Sequence, residues 1–513
     1  MRVLDDPKAY GRMPKAANER RISIVLFLVL LLCYAYFFPR WASWNHTSRL
    51  DLVMAIVDKG TVSIDDYYQN TGDYAVYEGH RYSTKAPGSS LLGVPVYWVF
   101  RQVLNSPILT SVLRELSSNQ AVVGTLRDGG TGLLPEKLYF ALALYVVTFV
   151  TVSVLSAFLG VVLYRFTSHY SSSQAHRVWV TLTYGLATSA FPYSSSYMGH
   201  QIVAAFLFFS FYLVFLVARQ SIKPAILSFT GFLMGYAVIT EYPTVLIAAA
   251  IFVYAFFRLP KKAWTAWLIL GGILPGVIWM IYNYQVYHKP IGFGYLYAPL
   301  YTDKNNVGFF SLVCPHFEAL WGITFGSYRG LFFLSPVMLF AIPGFYYFAR
   351  ARERWPEFFV CLWATISFFL FNGSSVMWEG GYAIGPRYVL PMLPFMALAL
   401  IFFTVQWGRN GWARVAMGFL TLWSALFVWS ETIGGQSFPD WTRNPLFNYS
   451  LPRLLRGDIA RSWGTIIGLP GWSSLIPLVV GEIVLFWLLF RQLGFTPRVK
   501  SHTGIGEVKA REA

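Results

Sequence analysis

Charge is what this chain is short of. Of its 513 residues, 12% are Asp, Glu, Lys or Arg, against roughly 25% in soluble domains. That shortage argues against a soluble globular protein, whose water-facing surface needs about twice as much. Acidic residues are the scarcer kind, 24 against 40 basic ones, for a net charge of +16. In a soluble chain such a balance would point to nucleic acid. Here the basic residues stand at the ends of apolar runs, which argues against nucleic acid as a partner and fits the excess of Lys and Arg on the cytoplasmic side of membrane helices. Cysteine is scarce as well. Cys33, Cys314 and Cys361 show no spacing of a metal site or a disulfide framework. There is no repeat of fixed period. No His/Asp ligand spacing demands a metal, so cofactor use stays unknown, with a divalent metal open.

Apolar sequence is what the chain has in plenty: 56% hydrophobic, 19% aromatic, mean hydropathy +0.48. A bilayer core of about 30 Å takes roughly 20 apolar residues per helix. Runs of that kind lie near 22–40, 138–165, 176–195, 201–218, 224–240, 242–258, 263–284, 330–348, 357–371, 388–407, 413–431 and 474–491. The fold class expected is an all-α polytopic membrane protein with about 12 transmembrane helices (range 11–13). Both termini are expected in the cytoplasm, and a large first outer loop is expected to contain interfacial helices. With that orientation the inner connections hold Arg165 and Arg177, Arg219 and Lys223, Arg258 with Lys261 and Lys262, Arg350 with Arg352 and Arg354, and Arg409 with Arg414. The short turns around Gly199 and Glu241 hold no Lys or Arg, as the positive-inside rule requires. The first run follows a basic segment and no small-residue cleavage site follows it, so it reads as an uncleaved signal anchor. The expected division is a cytoplasmic tail over 1–21, a transmembrane domain over 22–491 including an outer loop over 42–137, and a cytoplasmic tail over 492–513.

That outer loop is nearly neutral, with eight Lys/Arg and nine Asp/Glu. Ser48–Lys59 puts Leu50, Met54 and Val57 on one helical face. Ser89–Val103 reads as a helix lying in the interface, with Trp41, Trp44, Tyr97 and Trp98 at that level. Between them runs the most polar stretch, Ile64–Pro95, with Asp65, Asp66, Asp73, Glu78, His80, Arg81 and Lys85. Charged groups beside a membrane are expensive unless paired or wetted, so those at outer helix ends are candidates for function. They are Asp51, Asp65, Asp66, Asp73, His80 and Lys85 from the loop, Tyr193 and His200, Glu241 and Tyr242, Tyr282 and Asn283, and Trp378, Glu379 and Arg387. Each alone has a bland reading: a solvated aspartate, a helix cap for His200, an interfacial anchor for Arg387. Their convergence from five connections is what points to a site.

Three stretches resemble the GT-C class of membrane glycosyltransferases, which includes protein O-mannosyltransferases and lipid A aminoarabinose transferases. One is Arg49…Gly60 followed by Gly79-His80-Arg81-Tyr82-Ser83-Thr84-Lys85-Ala86-Pro87-Gly88, similar to that class's first outer loop with its lysine-bearing turn. Another is Thr188–His200. The third, Trp378-Glu379-Gly380-Gly381-Tyr382-Ala383-Ile384-Gly385-Pro386-Arg387-Tyr388, resembles a signature of bacterial members. The class usually places an acidic residue just after the first span. Here that place reads Asn45-His46-Thr47-Ser48-Arg49, and no carboxylate comes before Asp51.

The resemblance implies a polyprenyl-phosphate-sugar donor, a glycan, lipid or protein acceptor, membrane lipids around both, and an inverting transfer on the non-cytoplasmic face of a bacterial inner membrane. An attacking hydroxyl needs a carboxylate to take its proton; Asp51, Asp65 and Asp73 are the candidates. A departing lipid phosphate calls for fixed cations, for which Lys85 and Arg387 are chosen. His80, Tyr82, His200, Glu241 and Glu379 complete the expected binding set. Two other readings remain: a transporter or flippase of lipid-linked or small polar substrates, and a non-enzymatic assembly component. Transporters usually show internal repeats and mid-span polar groups, and neither is seen here.

Overall fold

The computed structural model describes residues 16–39, 43–104, 138–435 and 442–494, with positions 107 and 111 isolated. Most of the expected tails, Trp41 and the loop from 112 to 137 lie outside the described residues. Helices make up most of the rest. They are α1 (Ala16–Tyr36), α2 (Trp44–Met54), α3 (Gly88–Leu104), α4 (Leu138–Thr167), α5 (Gln174–Leu186), α6 (Gly199–Ala218), α7 (Ile226–Thr240), α8 (Tyr242–Arg258), α9 (Lys262–Tyr287), α10 (Ala341–Arg350), α11 (Arg352–Gly373), α12 (Arg387–Trp407), α13 (Gly411–Ile433) and α14 (Gly471–Leu493).

Each apolar run is helical. Among the described residues seven helices (α4, α6, α9, α11, α12, α13 and α14) are long and apolar enough to cross a membrane, and α7 and α8 are shorter apolar helices. The chain is thus an integral multi-pass membrane protein. Helix α1 is 21 residues long but carries Glu19, Arg20 and Arg21 near its start. Two runs are broken. The one at 330–348 divides into Leu331–Leu334, Pro336–Phe340 and α10, because Pro336 has no amide hydrogen to continue the ladder. The one at 176–195 stops at Leu186 and resumes as the single turn Ala190–Ser194.

Burial ranks the helices. In α12, 83% of the apolar window is buried and in α6 72%, against 22% for α9, 17% for α13 and 22% for α14. So α6 and α12 form the centre, with Phe208 and Phe211 of α6 packed on Phe395 of α12. The other three sit at the periphery and show most of their apolar surface outward. Helices α7 and α9 approach backbone to backbone. A Cβ on Gly231 would run into the Leu268 carbonyl, and one on Gly271 into the Ser228 carbonyl; small residues permit such contact between membrane helices.

The expectation of an all-α chain needs one correction. Tyr74–Tyr77 (β1) and His80–Ser83 (β2) form an antiparallel hairpin with Tyr74 opposite Ser83 and Tyr77 opposite His80. Its two turn residues, Glu78 (φ 50) and Gly79 (φ 85), are both left-handed, the geometry that matches the twist of a tight hairpin. The hairpin is seated by aromatic rings. Tyr82 shares a cluster with Leu52, Ala55, Ile64, Tyr282, Val286 and Tyr287, and the Tyr77 hydroxyl donates to the Tyr287 carbonyl over 3.3 Å. Ser48–Lys59 and Ser89–Val103 are both helical, within α2, which one wider turn extends through Lys59, and α3. Helix α2 packs on the hairpin and is buried on every face from His46 to Met54, so the polar face expected of it is not solvated.

Candidate active site

Helix direction decides which residues meet. Helix α6 starts at Gly199, α7 ends at Thr240, α8 starts at Tyr242 and α12 starts at Arg387. His200, Glu241 and Arg387 therefore share one end of the bundle, opposite the basic clusters at Arg219, Arg258 and Arg409. The hairpin and α2 lie against that end.

Glu241 is at the centre. Its Oε1 accepts from Arg49 Nη2 of α2 over 2.7 Å, and His200 Nδ1 stands 3.8 Å away. Arg49 also donates through Nη1 to the Ser89 hydroxyl at the start of α3, while the Ser90 hydroxyl donates to the Arg49 carbonyl over 2.9 Å. Burial opposes ionisation of Glu241. Its interactions with His200, Arg49, Lys85 and Arg387 outweigh it and hold the carboxyl below the usual glutamate range. Gly199 is glycine because a Cβ there would enter the Glu241 side chain.

Lys85 follows the hairpin and binds Asp73, which precedes it: Nζ to Oδ2 is 2.5 Å, with the side chains 10% and 4% exposed. The Thr84 hydroxyl donates to the other oxygen of Asp73 over 2.5 Å. Lys85-Ala86-Pro87-Gly88 then turns into α3 directly on the end of α7. A Cβ on Gly88 would enter Thr240 and come within 2.9 Å of the Ile239 carbonyl oxygen. That close approach is why glycine stands at position 88.

Arg387 closes the cluster from the far side. Its guanidinium carbon lies 5.0 Å from the Tyr388 ring centre, its Nη2 donates to the Tyr388 hydroxyl over 3.2 Å, and its buried Nε has no hydrogen-bond partner. Among the described residues no carboxylate lies within ion-pair distance of it. The His200 ring meets Tyr388 edge-on at 5.8 Å and Tyr193 at 6.2 Å, tying the stretch Thr188–His200 to the start of α12.

The other candidates fall elsewhere or outside the contacts just described. Asp65 lies at the hairpin's exposed edge, with Oδ2 2.7 Å from His80 Nδ1 and Oδ1 accepting from the Arg81 amide over 2.8 Å. Burial raises its carboxyl; the bonds from Ser63, His80 and the Arg81 amide prevail and hold it below the usual aspartate range. Asp51 is fully buried on α2 and accepts from Asn70 Nδ2 over 3.0 Å. Tyr82 belongs to the aromatic seat. Glu379 takes part through its carbonyl, which accepts from Arg329. Arg49 stood in the sequence only as a marker of the loop. Its place on an amphipathic helix suggested a solvated charge, whereas the structure buries it. Among the described residues no group of three or more His, Cys, Asp or Glu side chains is disposed to hold a metal ion. An apolar groove of about 420 Å³, lined by Leu246, Trp363, Leu370 and Phe371 among others, runs between α8 and α11 near the same end.

Fold and site together describe a multi-pass membrane protein with buried opposite charges gathered at one end of its helices. No family model matches the chain, and no curated protein does. Among solved structures it is similar to the crystal structure of ArnT from Cupriavidus metallidurans bound to undecaprenyl phosphate. The match spans 93% of this chain and 77% of that one at 14% identity, with a TM-score of 0.43. Likeness at that level carries no argument about chemistry, which has to come from the site.

Proposed function

We propose that this chain is a membrane glycosyltransferase that moves a sugar from a polyprenyl-phosphate-linked donor to an acceptor at the non-cytoplasmic ends of twelve membrane helices, with both termini cytoplasmic. One observation carries the reading: at the helix end that holds Glu241 and Lys85, the buried Nε of Arg387 has no hydrogen-bond partner, and among the described residues no carboxylate lies within ion-pair distance of that arginine. Its surplus positive charge suits a phosphate, which an arginine can grip with two parallel bonds and a lysine as a point charge.

The residues divide the reaction as follows. The acceptor hydroxyl attacks the anomeric carbon, and the bond from that carbon to the phosphate oxygen breaks. Direct displacement inverts the centre. Arg387 and Lys85 meet the charge that develops on the departing lipid phosphate. Asp73 is the favoured base. Of the three aspartates it is the one paired with a cation of the site. A phosphate that engages Lys85 would loosen that pair and leave the carboxylate to take the hydroxyl proton.

The test uses the full chain in nanodiscs, with undecaprenyl phosphate and undecaprenol as probes. The phosphate form is expected to bind and the alcohol not. Arg387→Ala should weaken binding by about 10- to 100-fold, the worth of charged hydrogen bonds, with Arg387→Lys retaining part. A sugar-loaded lipid phosphate should release free lipid phosphate in the presence of acceptor. Equal binding of phosphate and alcohol would sink the assignment, and movement of intact donor across the bilayer without cleavage would make the protein a transporter.

A further inference from the structure

Arg387 is aimed by a turn, and the turn is held by another arginine. Arg329 is fully buried. Its Nε donates to the Glu379 carbonyl over 2.9 Å, Nη2 to the Gly381 carbonyl over 2.6 Å and Nη1 to the Ala383 carbonyl over 2.7 Å. The guanidinium carbon lies over the Tyr328 ring, 3.9 Å from its centre. One side chain thus spans alternate carbonyls of the segment that leads into α12.

Its glycines leave that segment little stiffness of its own. Gly380 (φ 71), Gly381 (φ 61) and Gly385 (φ 61) are all left-handed, and glycine is the residue with most freedom to leave such a conformation. Gly380 is also the floor under Arg387. A Cβ there would lie 3.0 Å from Arg387 Nε and 3.1 Å from its Cγ. The carbonyls on either side of Gly380, those of Glu379 and Gly381, are two of the three in this turn that Arg329 grips. The far end of the turn is pinned separately, by the Ile384 amide donating to the Tyr193 hydroxyl over 3.2 Å.

We infer that Arg329 is a positioning residue, which sets the direction of Arg387 by fixing the backbone of Glu379 to Ala383. The role rests on the phosphate reading of Arg387 for its consequence, though not for its geometry. Lysine keeps the charge at 329 but, as a single point donor group, cannot span three carbonyls.

The experiment compares Arg329→Lys, Arg387→Ala and the double variant in the full chain in nanodiscs. Two quantities are read: binding of undecaprenyl phosphate, and amide hydrogen exchange of the peptide covering 379–386. Arg329→Lys is expected to raise exchange in that peptide and to weaken binding roughly tenfold or more, within what a misplaced positioning group costs. The double variant should bind no worse than Arg387→Ala, because both changes remove the same contact. Unchanged exchange overturns the inference, as do losses that multiply in the double variant, and so does full binding by Arg329→Lys beside weakened binding by Arg387→Ala. If Arg387→Ala itself binds normally, the phosphate reading falls, and the exchange result alone decides whether Arg329 holds the turn. Should Arg329→Lys not fold, Gly381→Ala replaces it. It strains the same left-handed backbone from the exposed side, where a Cβ meets nothing within 4 Å, and the same outcomes apply.

Discussion

Arg49 and Glu241 are 192 residues apart in the chain and 2.7 Å apart in the fold, with side chains 3% and 14% exposed. This pair joins the amphipathic loop helix to the turn between α7 and α8. Removing one partner strands the other charge, which costs about 3–5 kcal/mol where the pair is buried. Arg49→Met and Glu241→Gln are each expected to lower the melting temperature of the purified protein sharply. The double variant should lose less than the two losses added. Fully additive losses would mean that the two residues act independently.

The three aspartates should separate by rate. Asp73→Asn is expected to lower sugar transfer by about 10²–10⁴-fold, the range for loss of a general base, while donor binding persists. Asp65→Asn, at the exposed edge beside His80, should leave transfer within a few-fold of the parent. Wild-type turnover in Asp73→Asn would remove it as the base and bring Asp51, buried on α2, to the front.

Gly88→Ala tests the seat of α3. The new methyl meets Thr240 and the Ile239 carbonyl, and backbone yields little, so overpacking of about 1–3 kcal/mol is expected. Because Lys85 lies three residues before, donor binding should fall along with stability. A fully stable Gly88→Ala protein with normal binding would show that the loop has slack there.

Asp65 makes the hairpin sensitive to acid. Its folded carboxyl sits below the ordinary aspartate value, near ~3.9 in an unfolded chain. The stabilisation is therefore complete above that value and is lost as pH falls through the lower folded value. Melting curves of the parent and Asp65→Asn should differ most near neutral pH and converge in acid. A gap of constant size from neutrality to about pH 3 would contradict this.

The apolar runs made the helices legible, and the basic residues between them made the two ends of the bundle distinguishable. The hairpin was harder to see. Tyr74–Tyr77 and His80–Ser83 flank a two-residue Glu-Gly turn, but four-residue strands in a polar loop leave little alternating pattern. Arg49 was hidden for another reason. Helical periodicity places a charge off the apolar face, and it says nothing of a carboxylate that returns from residue 241. Arg329 stands alone in a connection without a motif of its own, and only the folded backbone brings three carbonyls to it. His200, Glu241 and Arg387 stood out because each is a costly charge or imidazole at the end of an apolar run, whereas Lys85 stood out only through the turn that carries it.

Helix α9 has a consequence for the lipid around the protein. It exposes most of its apolar length and meets α7 through glycines, and its last turns, at Tyr282, Val286 and Tyr287, form the seat of the hairpin. A peripheral helix answers a change in bilayer thickness by tilting. Tilt in α9 would carry the hairpin, and with it Asp73 and Lys85, relative to Arg387 at the buried start of α12. Acyl-chain length is therefore expected to bear on the spacing of the two cations, and donor binding compared in nanodiscs of short- and long-chain lipid would show it.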